Sequence, residues 1–193
     1  MPDSDDTMLP NILLTAIGRV AASTSMLESA LRHVVADLAG GDDAGWIIFE
    51  GQSVDWLIQN GIAVLGQHQE DEDGNSWRLG RFGRVLRDLF RAAEGLKNDR
   101  NLIIHGEWRT TCLGASINEP EFCRPRSSSS AGGDQVFHVL RSRYRKGFEE
   151  QAWTIANIEA VASAAEALAR NVRSTYREAV DARHARWAAT EEP

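Results

Sequence analysis

Apolar positions recur three and four residues apart over most of the chain, the mark of amphipathic helices. From Leu9 to Leu38, the run Leu13, Leu14, Ile17, Val20, Leu27, Leu31, Val34, Val35 and Leu38 predicts one long helix. Pro10 suits its first turn, where no N–H partner is lost, and Gly40-Gly41 closes it. Some loosening is expected around Ala21 to Ser25. A turn at Asp42 to Gly45 leads into the short, very apolar Trp46-Ile47-Ile48-Phe49. Ser53 to His68 predicts a second helix, with Ser53 as N-cap and Trp56 where a capping box would carry glutamate. Its stripe is Val54, Leu57, Ile58, Ile62 and Leu65. After the acidic loop Glu70 to Ser76, a third helix is expected over Leu79 to Leu96, on Phe82, Val85, Leu86, Leu89, Phe90 and Ala93, with Gly95 near its end. A fourth is expected to start near Asp99 and reach about Trp108.

The pattern then changes. Thr110 to Gly133 holds Pro120, Pro125, four consecutive serines and Gly132-Gly133, which is loop composition, and Ser127 to Gly133 is expected to be mobile. The β-leaning flanks, Glu107 to Ser116 and Val136 to Tyr144, are expected to pair as a long-looped hairpin. A last helix is expected from Thr154, its cap, to about Trp187, on Ile155, Ile158, Val161, Ala162, Ala165, Leu168, Ala169, Val172 and Tyr176. The fold class is therefore mainly α, a bundle of four to five helices with a small inserted β-hairpin. It reads as one domain over residues 9–187, with an insert at about 107–144 whose loop, 120–134, is mobile. Residues 1–8 are expected to be a flexible start and 188–193 a short tail.

Composition changes this picture little. The 193 residues are 42% hydrophobic and 25% charged, ordinary for a chain with one real core. The net charge of -7 speaks against broad, nonspecific wrapping of nucleic acid and leaves room only for a local basic patch. No apolar run approaches the roughly 20 residues of a membrane span, and the acidic Met1 to Asp6 does not read as a signal peptide. A cytoplasmic location with no membrane contact is the expectation. Cys112 and Cys123 make no CxxC pair and no further cysteine completes a zinc set, so free thiols and no metal are expected.

The segment with the look of chemistry is Arg100-Asn101-Leu102-Ile103-Ile104-His105. Asn101 and His105 lie four apart and share a helical face, and the long Arg100 side chain reaches round to the same side. Leu102, Ile103 and Ile104 would anchor the segment in the core. The plainer reading is that His105 caps a helix or packs against Trp108, while Arg100 pairs with an acid from another helix. On the helix before, Arg84, Arg87 and Arg91 share a side, which reads as a solvated face partly neutralised by Asp88 and Glu94. Other motifs fail. His33, His138 and His184 belong to no constellation. There is no G-x-S-x-G, and Gly80-Arg81-Phe82-Gly83 lacks the Lys-Ser/Thr of a P-loop. The Glu70 to Ser76 loop misplaces the glycine and glutamate of a calcium loop.

An arginine and a histidine five positions apart, with a polar residue directly after the arginine, resemble the ribonuclease motif of the HEPN family at its shortest spacing. The helix order before the motif is similar too, and the resemblance covers about Leu9 to Tyr176. It implies a HEPN-like helical bundle acting as a metal-independent endoribonuclease of the toxin–antitoxin or phage-defence kind, with no cofactor. It implies a homodimer whose two motifs meet in a cleft. His105 would move the proton of the RNA 2′-hydroxyl or of the leaving oxygen, Arg100 would stabilise phosphorane-like charge, and Asn101 would orient the phosphate or the histidine. The products would carry 2′,3′-cyclic phosphates. Arg84, Arg87 and Arg91 would lead RNA to the cleft, and an antitoxin is an expected partner. The acidic charge keeps a second reading open, a noncatalytic module of the same fold that dimerises or binds a partner or nucleotide.

Overall fold

The computed structural model describes residues 9–40, 43–68, 79–112, 123–125, 135–143 and 147–191. Among them the elements are α1 (Asn11–Leu38), α2 (Asp43–Glu50), α3 (Val54–Gln67), α4 (Arg81–His105), β1 (Glu107–Arg109), β2 (Cys123–Pro125), β3 (Val136–Arg143), β4 (Gly147–Thr154) and α5 (Ile155–Glu191). The chain is mainly helical with a small sheet, as its periodicity predicts. The expected flexible start, the acidic loop and the serine-rich loop lie outside the described residues. The chain forms two compact units, residues 1–23 with 98–163, and residues 24–97 with 164–193.

The first unit carries the sheet. Its strand order is β1-β3-β4-β2. The expected pairing of the two flanks is there, antiparallel, with Glu107 opposite Leu140 and Arg109 opposite His138. The surprise is β4, which pairs antiparallel with the whole of β3, from Val136 opposite Thr154 to Arg143 opposite Gly147. Gly147–Thr154 has little strand propensity of its own, with two glutamates and a glycine, and pairing with β3 overrides that. β2 runs parallel to β4 on its other side. Phe137, Val139 and Trp153 pack with Leu13, Val20, Leu102, Ile103, Ile158 and Ala162 into a buried core. At the start of α5 the expected cap forms as a reciprocal box: Thr154 Oγ1 accepts from the Asn157 amide at 3.2 Å, and Asn157 Oδ1 accepts from the Thr154 amide at 3.3 Å.

The second unit is helical. Leu31, Leu57, Ile58, Leu65, Leu86, Phe90, Ala169 and Val172 are among its buried residues. Ser53 caps α3 as expected, its hydroxyl accepting from the Trp56 amide at 3.2 Å. Gly61 lets α3 approach α4, since a Cβ there would overlap the Phe90 ring. The apolar Trp46–Phe49 run ends a short helix, α2, with Phe49 buried and tilted against Trp56 at 5.5 Å between ring centroids.

Two expectations about helices are corrected. α1 does not loosen at Ala21 to Ser25, a stretch with no glycine or proline and two alanines, the strongest helix formers. The expected third and fourth helices are one, α4, because Gly95 costs only about 1 kcal/mol inside a helix and no proline follows it. The Arg100–His105 segment therefore ends a long helix instead of beginning a short one.

Candidate functional site

Arg100, Asn101 and His105 stand on the last turns of α4, and the first unit brings all three together. The Arg100 guanidinium donates through Nη1 to Asn101 Oδ1 at 2.9 Å, and the same nitrogen lies 3.5 Å from His105 Nε2. A guanidinium only donates, so this approach is attractive when Nε2 carries the imidazole lone pair. Arg100 and Asn101 are half-buried and His105 is exposed. Beneath the trio, Leu102 and Ile103 are buried in the core.

The end of the helix is held by its successors. Trp108 Nε1 donates to the Ile103 carbonyl at 2.9 Å, and the Gly106 amide donates to the Leu102 carbonyl at 2.9 Å. These bonds satisfy carbonyls that a helix terminus otherwise leaves open. Gly106 is required by packing, since a Cβ there would overlap the Val139 side chain of β3. The cap role considered for His105 thus falls to Trp108 and Gly106. Among the described residues, the hydrogen-bond partners of Arg100 are Asn101 and His105, with no acid from another helix.

Arg84, Arg87 and Arg91 lie on α4 within the second unit. Arg91 pairs with Asp88 at 3.2 Å, the neutralisation expected of that face. Arg84 is exposed and Arg87 half-buried. The same unit holds a cavity of about 570 Å³ lined by Ser29, His33, Asp37, Arg173, Tyr176 and Arg177 among others. Tyr176 donates its hydroxyl to Asp37 and meets His33 edge-on at 6.1 Å. Burial, and then the bond to Asp37 and its charge, push the phenol well above its usual range. Nothing in the sequence pattern marks this cavity, because its walls come from two helices far apart in the chain.

A second cluster in the first unit corrects the expectation that His138 has no partners in chemistry. Cys112 Sγ lies 3.6 Å from Glu150 Oε2, and His138 Nδ1 lies 3.8 Å from Glu150 Oε1. One donor atom from each of the three falls within 4.8 Å of the other two. Phe137, Val139 and Trp153 turn to the core, so strand alternation puts His138 and Glu150 on the opposite face. They are diagonal neighbours there, because His138 is opposite Ala152, two positions along β4 from Glu150. Glu150 is nonetheless only 3% exposed. Burial lowers the His138 pKa, with the nearby Glu150 charge working the other way. Cys112 is a free thiol, as expected, and the Cys123 side chain lies outside the described residues.

No family model matches this chain, and no curated protein or solved structure matches it. Among the described residues, no helix is long and apolar enough to cross a membrane.

Proposed function

We propose that the chain is a HEPN-like, metal-independent endoribonuclease in which Arg100, Asn101 and His105 act on the RNA backbone. The observation that carries this reading is the approach of Arg100 to both Asn101 and His105 at a rigidly capped helix end, with His105 exposed. His105, exposed at the helix end, would accept the proton of a 2′-hydroxyl at the imidazole nitrogen that carries the lone pair, once the hydroxyl takes the guanidinium's place beside it. The 2′-oxygen then bonds to phosphorus, the bond to the 5′-oxygen breaks, and that oxygen takes up a proton. Arg100 offers a planar fork of donors to the charge that builds on the phosphoryl oxygens. Asn101 holds the guanidinium in place. A second copy of the chain supplies the second acid–base group across a dimer cleft; exposed Ile12 and Leu14 on α1 are available to such a contact.

The test is cleavage of a labelled, structured RNA in EDTA by wild type, Arg100→Ala and His105→Ala, with the fold followed by circular dichroism. Each substitution is expected to lower the rate by at least about 100-fold with the fold intact. No cutting by wild type across several RNAs, together with a less stable His105→Ala, would remove the enzyme reading. The second-unit cavity, with its arginines and Tyr176, favours the rival reading as a nucleotide-binding module, which equilibrium binding of labelled nucleotides to wild type and Arg177→Ala would then decide.

A further inference from the structure

We propose that Cys112, His138 and Glu150 form a binding site for a single zinc ion, independent of the ribonuclease reading. The three side chains come from the segment after β1, from β3 and from β4. Thiolate sulfur, imidazole nitrogen and carboxylate oxygen are each ordinary zinc ligands, and a set that mixes them suits a borderline-soft cation better than magnesium or calcium, which prefer oxygen alone.

The three donor atoms stand close enough to share a metal, with Cys112 already hydrogen-bonded to Glu150. Tetrahedral coordination at usual zinc bond lengths separates sulfur from oxygen by about 3.6 Å and nitrogen from oxygen by about 3.4 Å. The observed separations are 3.6 Å to Oε2 and 3.8 Å to Oε1, so Glu150 would meet the ion with both oxygens or turn to bring one of them to it. The second distance is too long for a carboxylate–imidazole hydrogen bond. The arrangement also differs from a nucleophilic triad. There the imidazole stands between thiol and acid; here both close approaches converge on the carboxylate.

Burial points the same way. Glu150 is almost wholly enclosed, so an ion bound there would be shielded from water.

A metal here would tie β3 and β4 to the segment that follows β1. The test loads reduced, metal-free full-length protein with Co²⁺, which reports thiolate ligation through a near-ultraviolet charge-transfer band, and then displaces it with Zn²⁺. Wild type is expected to bind one equivalent with that band, to lose the band to Zn²⁺ and not to excess Mg²⁺, and to melt at a higher temperature with Zn²⁺ bound. Cys112→Ser should lack the band, and His138→Gln should bind at least about 10-fold more weakly, since even supporting groups around a metal are worth that much. Circular dichroism confirms that both variants are folded; two variants at different positions guard against one that is not. Absence of the band in wild type, or a band undiminished in Cys112→Ser, overturns the proposal.

Discussion

His138 carries a pH dependence whose sign follows from its surroundings. Burial on the sheet disfavours its imidazolium in the folded chain, while the unfolded chain takes up that proton at the ordinary value of 6.5. Below that value the unfolded state therefore holds more protons, and acid favours unfolding. This contribution is fully favourable above pH 6.5 and is lost progressively as the pH falls towards the lower folded value. Metal-free wild type should show a falling melting temperature between about pH 7.5 and 5.5, and His138→Gln a flatter profile over the same range. An equal slope in both would place the titrating group elsewhere. At this scale the chain was unevenly legible. Arg100, Asn101 and His105 lie within two turns of one helix, so their spacing alone brings them together. Cys112, His138 and Glu150 meet only through strand register, and Glu150 stands in a strand whose composition hides it.

Among the elements, α4 departs furthest from its local signals. Gly95 and the polar Lys97-Asn98-Asp99 look like a helix end, but the buried stripe continues through Leu96 to Leu102 and Ile103. Local signals yielded to packing, as they do when the cost of one glycine is small. The two glycines of this region should respond oppositely to alanine. Gly95 has nothing within reach of an added Cβ, so Gly95→Ala should stabilise by about 0.5–1 kcal/mol. Gly106→Ala must displace Val139 or the helix end and should destabilise by about 1–3 kcal/mol. Denaturant midpoints measure both. Because Gly106 sits directly after His105, its replacement should also lower any cleavage activity. The β1–β3 pairing was legible in the β-leaning flanks; β4 was not, since nothing local in Gly147–Thr154 alternates cleanly.

For the whole molecule, the ribonuclease reading requires two copies. Light scattering at micromolar concentration should give twice the 21.3 kDa of the chain, and a monomer would remove a site built from two motifs. The net charge of -7 adds a condition: an RNA substrate must be held by local cations, so cleavage should weaken with salt.

The path of the chain has a further consequence. The boundaries between the two units fall inside α1, α4 and α5, and neither unit is one continuous stretch of sequence. A single crossover with a related gene after any residue from 24 to 162 would give both units mixed parentage. Neither unit can be inherited or expressed as one contiguous cassette.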